Sequence, residues 1–225
     1  MPVLKPAARE NLSSRVYRQL RKALMNGEYE AGRRISIAEI TAATQTSATP
    51  VREALFRLIS EGALEMQEAH SFRVPVLTPS QVGEILAIRL LLEGEAAAQA
   101  ARKATDEEIQ NLRKLNERFM RAFRNNDLVA SSTLNRSFHF AILEMAKMPV
   151  LQSTIEIMWA RMGAHIRKIT RAQLRNDNLD LEHKHYPVIE ALTKRSPRAA
   201  RLAIQTDIKL SRLTNLPKDE WMSGA

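Results

Sequence analysis

Seven glycines in 225 residues, three of them before residue 63, leave the chain few places to reverse sharply. The stretches between them carry apolar residues at three- and four-residue spacing, which predicts a mainly α protein. Leu12, Val16, Leu20 and Leu24 form one apolar stripe, with Arg15, Arg18, Arg21 and Lys22 off it. Asn11 can cap the start of that helix and Asn26-Gly27 can end it. Ser36-Ile-Ala-Glu39 is a capping-box pattern that opens a short helix through about Ala43. Thr44 to Thr46 supply a turn. A third helix starts after Ser47, runs to about Ser60 and stops at Glu61-Gly62.

The pattern then changes. Residues 63–67 and 72–76 read as two short strands around Glu68-Ala-His-Ser71. Three helices followed by a two-stranded ribbon are the elements of a winged helix-turn-helix, with a three- or four-residue turn between the second and third helices. Leu77 to Ser80 form the natural boundary, giving a first domain over 1–77 and a second over 78–225. The second reads as an all-α bundle of six or seven helices, with spans near 79–103, 105–125, 127–147, 149–175, 179–194 and 197–214. Thr105-Asp-Glu-Glu108 is another capping box; Pro149 and Pro197 suit first turns. Pro187 would kink the fifth of these helices or make it start late. The tail from Pro217 reads as frayed.

The chain has no cysteine, which excludes disulfides, thiolate metal sites and cysteine nucleophiles. No apolar run is long enough for a membrane span, and no signal peptide is evident, so a cytoplasmic protein is expected. The net charge of +9, spread over both halves, favours a polyanionic partner.

The most specific stretch is Thr49-Pro-Val-Arg-Glu-Ala-Leu55. Val51, Leu55, Leu58 and Ile59 are spaced to face a core. Arg52 lies off that stripe near the start of the third helix, the end that enters a major groove, where an arginine grips guanine O6 and N7. Ser47 and Thr49 sit where hydroxyls and backbone N–H groups meet phosphate. Taken alone, an arginine on a helix is usually only solvated.

This string, the helix that Ser36 opens and the Glu-Gly-Ala-Leu64 turn together resemble the GntR family of bacterial transcription regulators. The second half resembles the FCD effector domain of its FadR-like branch, through Leu91-Leu-Glu-Gly-Glu-Ala-Ala97, Ser137-Phe-His-Phe-Ala-Ile-Leu143 and Ile189-Glu-Ala-Leu192. The resemblance implies a double-stranded DNA operator read through Arg52, Ser47, Thr49 and Ser36, with Arg57 as a backbone contact and His70 at the wing tip. Four positions depart from the family pattern: Ala48 replaces a turn arginine, Gln45 a turn glycine, and His70-Ser71 a basic residue and glycine. A different or weaker operator preference is the expected result.

The FCD pattern also implies a divalent metal held by an aspartate and three histidines. Here the matching positions are Asn135, His139, His185 and Asp207. Two histidines and one carboxylate suit Zn, Ni or Mn and leave open positions for a carboxylate effector. The same substitutions equally suit a site that binds its ligand without metal. Arg89, four residues before Glu93, is placed to clamp an effector carboxylate; the plain alternative is a surface helix pair worth ~0.2–0.5 kcal/mol. His165 follows the inward stripe of Met158 and Met162 and joins the effector candidates. His183 is read as a surface residue.

The leading expectation is a homodimeric, effector-responsive regulator, not an enzyme, that releases or changes its grip on an inverted-repeat operator when a small organic acid binds. The competing classes are a metal-dependent enzyme acting on an organic acid, for which no general base or nucleophile motif is visible, and a helical interaction module whose winged helix no longer binds DNA.

Overall fold

The structure, a computed structural model, describes residues 12–67, 71–175 and 185–210. The Asn11 cap, His70, His183, the start of the helix expected from 179 and everything after 210 lie outside these residues.

The first helix, α1 (Leu12–Met25), buries Val16, Leu20 and Leu24 of its expected stripe and adds Tyr17, whereas Leu12, in the first turn, is exposed. It packs on α3 (Ala48–Ser60), which buries Val51, Ala54, Leu55 and Leu58. Between them in sequence come β1 (Arg34–Ile35) and α2 (Ile37–Thr44). Ser36 caps α2, its hydroxyl accepting the Glu39 N–H at 3.1 Å. The wing strands are β2 (Glu65–Met66) and β3 (Phe72–Arg73). They are shorter than the spans read from the sequence, and the expected two-stranded ribbon is a three-stranded antiparallel sheet in the order β1-β3-β2. Ile35 pairs with Phe72, and both are buried under the helices. Two residues are too few to leave an alternation signal, which is why β1 is invisible to pattern reading.

The rest is helical: α4 (Pro79–Lys103), α5 (Asp106–Arg124), α6 (Leu128–Ala146), α7 (Pro149–Leu174), α8 (Tyr186–Thr193) and α9 (Pro197–Leu210). Capping boxes at Thr78/Gln81 and Thr105/Glu108 set the starts of α4 and α5, and Asp127 caps α6. Pro187 sits in the first turn of α8, so that helix starts late rather than kinking. The helix α4 runs through the middle of the bundle against α6, α7 and α9, while α5 and α8 close the other side. An alanine face on α4 (Ala96, Ala97, Ala100, Ala101) permits the tight packing. None of the described helices is long and apolar enough to cross a membrane.

The winged-helix part rests on the bundle through α1 and α7. The contact is unusually close. A Cβ built on Gly163 would lie 1.8 Å from the Leu24 carbonyl oxygen, and one on Gly27 (φ +66°) would lie 2.5 Å from the Gly163 carbonyl oxygen. Polar contacts flank it: Arg21 Nη1 to Glu156 Oε2 at 2.7 Å, and Arg136 Nε to Asn26 Oδ1 at 2.7 Å.

Two substitutions test these local constraints. Gln45 ends α2 in the left-handed region (φ 52°, ψ 42°), where a side chain costs ~1–2 kcal/mol. Gln45→Gly is expected to raise stability by ~0.5–1 kcal/mol after the entropy gained by the unfolded chain, read as a higher unfolding midpoint in urea. Gly163→Ala is expected to lower stability by ~1–3 kcal/mol, as overpacking at a rigid contact does.

Candidate functional site

At the winged-helix end, α2 and α3 pack together across the short turn at 45–47. Ser36, Ser47, Thr49 and Arg52 are all exposed there. Ser47 caps α3 from an extended backbone without a side-chain cap bond (φ −76°, ψ 166°). The first-turn N–H groups of both helices and their dipoles make this side attractive to phosphate. Arg57 stands elsewhere. Its guanidinium lies over the Tyr17 ring at 3.7 Å and its Nε is 3.7 Å from Glu61 Oε1. Tyr17 in turn donates to Glu61 Oε1 at 2.5 Å. Arg57 therefore faces the seam between the two parts rather than the side that carries Arg52.

Inside the bundle, a chain of buried polar groups crosses four helices. Glu93 on α4 is its hub. Arg89 Nε donates to Glu93 Oε1 at 2.6 Å, and Trp159 Nε1 on α7 donates to the same oxygen at 3.1 Å. His139 on α6 places Nδ1 2.8 Å from Glu93 Oε2 and Nε2 3.1 Å from Asp207 Oδ2 on α9. Arg89 also lies over the Trp159 ring at 4.2 Å. Arg89 and Glu93 are each 2 % exposed, so the pair is no surface helix pair. His185, at the start of α8, places Nδ1 2.9 Å from Asn116 Oδ1 on α5 and stacks on Phe138 with ring centroids 3.8 Å apart.

The charges follow from these contacts. Burial would raise the Glu93 carboxyl, but Arg89 and His139 overcome it and hold its pKa down at about 2. Burial works against the charged His139 ring, yet Glu93 and the hydrogen bond to Asp207 push it up to about 9. With both ring nitrogens facing carboxylates, His139 is an imidazolium. Two cations and two carboxylates then balance, which is what makes so much buried charge tolerable. His185 is different. An amide oxygen only accepts, so Nδ1 carries a proton there, while Nε2 lies 3.9 Å from Asp207 Oδ1.

His139, His185 and Asp207 offer three donor atoms, all within 4.8 Å of one another. Two imidazoles and a carboxylate are a donor set for a borderline divalent cation. His139 joins only by giving up its Nε2 proton. Asn135 is half-buried one turn before His139 on the same face of α6. His165 does not join this cluster. It lies on another side of α7, against the winged-helix part.

Pattern reading missed Asn116 and Trp159. Both have a visible signal. Asn116 falls in phase with the buried stripe Ile109, Leu112, Phe119 and Phe123, where a polar residue needs a partner. Trp159 falls in phase with Ile155, Met162 and Ile166, and its indole N–H needs an acceptor when buried.

This architecture has relatives. The family model of bacterial regulatory proteins, gntR family, matches residues 12–74, and that of the FCD domain matches residues 84–209. The chain belongs to the GntR family of bacterial transcription regulators, with an FCD domain behind its DNA-binding domain. It is 34% identical over 162 residues to the HTH-type transcriptional regulator McbR of Escherichia coli K12, covering 72% of this chain and 73% of that protein. It is 25% identical over 224 residues to the HTH-type transcriptional repressor NanR of Klebsiella aerogenes, covering 91% of this chain and 85% of the repressor. The solved structure of Escherichia coli McbR/YncC superposes with a TM-score of 0.82 at 29% identity, over 92% of this chain and all of that one. McbR and NanR are both named as helix-turn-helix transcriptional regulators.

Removing one member of the buried network leaves its partners charged and unpaired. Arg89→Met is expected to cost ~3–5 kcal/mol in urea unfolding, far more than a surface helix pair.

Proposed function

We propose that this GntR-family regulator is a cytoplasmic repressor that binds an inverted-repeat operator as a homodimer and is released or modulated by a small carboxylate metabolite. In this reading residues 1–77 bind DNA, and residues 78–225 dimerise and bind the effector. The observation that carries it is the pairing of two features. Arg52 is exposed at the start of a recognition helix, and a charge-balanced polar cluster is buried in the helical domain. Arg52 reads a guanine edge, while Ser36, Ser47 and Thr49 hold phosphates. Gln45 and Ala48 shift operator preference without abolishing binding.

Dimerisation is supported by Leu91 on α4, 71% exposed, with Ile88 one turn away. Repression is supported by the relative named a repressor. His139, His185 and Asp207 hold a divalent cation, Zn, Ni or Mn, with Asn135 beside them; the cation offers open positions to the effector carboxylate. Arg89 and Glu93 orient His139 from behind. A second reading, a regulator whose pocket takes its ligand without metal, is favoured by the His139 imidazolium, which already satisfies both carboxylates.

The two ends are tested separately. Arg52→Ala is expected to abolish the footprint on the operator while circular dichroism stays unchanged; an unaltered footprint would remove Arg52 from the interface. Metal content of untagged protein purified without chelator separates the two pocket readings. Near one equivalent per chain supports the cation, and none after reconstitution supports the metal-free pocket.

A further inference from the structure

The helix α3 has two ends, and Arg52 marks only the first. The other stops at Glu61-Gly62, on the seam between the winged-helix part and the bundle. Glu61 closes the helix, its backbone N–H donating to the Arg57 and Ile59 carbonyl oxygens. A carboxylate at that end faces the negative pole of the helix dipole and needs cations or donors to answer it. Tyr17 donates to its Oε1 at 2.5 Å, and Arg21 Nε lies 3.5 Å from its Oε2. Both come from α1. The Arg21 and Glu61 side chains are 12% and 14% exposed, so water screens the pair little.

The same guanidinium reaches the bundle. Arg21 Nη1 donates to Glu156 Oε2 on α7 at 2.7 Å, and Gln152 Nε2 lies 3.4 Å from the other Glu156 oxygen. Arg161, further along α7, lies against Gly62, where a built Cβ would stand 3.3 Å from the arginine Nε. The closing end of α3 is therefore seated on α7, through Arg21 as a bridge and Arg161 as a packed neighbour. Glu156 is three residues from Trp159 and shares a side of α7 with it. Trp159 donates to Glu93, the hub of the buried cluster. Nine residues separate Glu61 from Arg52, about 13 Å of straight helix. A turn of α3 about its seat swings Arg52.

We propose that Arg21 is a positioning residue for DNA recognition: by bridging Glu61 and Glu156 it fixes the angle at which α3, and with it Arg52, stands on the bundle. The proposal rests on the reading above, in which two copies bind an inverted repeat. An angle fixed in each copy then fixes the separation of the two recognition helices. Arg52 reads the bases of a half-site, and Arg21 sets which distance between half-sites is accepted. One added base pair turns the second half-site by about 35° around the duplex axis, so a rigid seat is sensitive to it.

The test is selection of duplexes from a random pool by the full chain, then fluorescence anisotropy on the selected site with no, one or two base pairs added between its half-sites. The unaltered protein is expected to lose about tenfold or more in affinity per added base pair. Arg21→Met is expected to shrink that penalty to within about threefold. Its loss on changing the guanine that Arg52 reads is expected to stay as in the unaltered protein. Glu156→Gln, which cuts the bridge at its far end and keeps hydrogen-bonding groups, is expected to relax spacing in the same way. It decides the matter should the methionine variant lose its circular dichroism. Leu112→Val loosens α5, which packs on α6 and α8, and is expected to leave the spacing penalty intact. A full penalty in Glu156→Gln would overturn the proposal. So would an equal relaxation in Leu112→Val, the mark of general loosening, or affinity lost evenly across all spacings and bases in Arg21→Met. Selection of unpaired half-sites by the unaltered protein would overturn the inverted-repeat reading itself, and the proposal with it.

Discussion

A carboxylate with no access to water has to be answered on every side, and Glu93 is answered by three helices. Arg89 comes from its own helix, Trp159 from α7 and His139 from α6, which in turn reaches Asp207 on α9. No apolar contact in the bundle fixes the rotation of four helices so narrowly. A leucine tolerates a shift of a few tenths of an ångström; an ion pair in a low-dielectric interior loses its compensation. The network therefore sets the register of the helices as well as the charge state of the cluster. It does so at no net charge, since Arg89 and His139 balance Glu93 and Asp207.

The helices were legible in the sequence because their signals are local. Stripes at 3.6-residue spacing and caps at Ser36 and Thr105 need only neighbouring residues, and the structure realises both caps. Strand β1 was not, because Arg34 and Ile35 form a strand only where Arg73 and Phe72 arrive to pair with them. The candidate cluster divides in the same way. His139, His185 and Asp207 were found through family positions and do converge. Glu93 was found as a helix neighbour of Arg89, but its role as the hub depends on His139 and Trp159, 46 and 66 residues away. His165 shows the opposite failure. Its phase with Met162 suggested the bundle interior, yet a helix clasped between two parts has two buried sides, and periodicity does not say which partner each one meets.

The same clasping bears on how the two ends communicate. Trp159 ties one side of α7 to Glu93, and one turn later Gly163 presses on the Leu24 carbonyl of α1 with no room for even a methyl group. Arg21 and Glu156 bind the same two helices by charge. A contact this close has no slack to absorb movement. A shift of α7 at Trp159 must either move α1 with it or break the Gly163 contact, and each outcome changes where α1 and the α3 packed on it stand relative to the bundle. A ligand in the bundle affects operator affinity only through its differential affinity for the two placements. The geometry of α7 makes those placements discrete, because packed backbone either touches or does not. In the proposed function, an effector that reorders the Glu93 network would act on a two-position joint, not on a flexible tether.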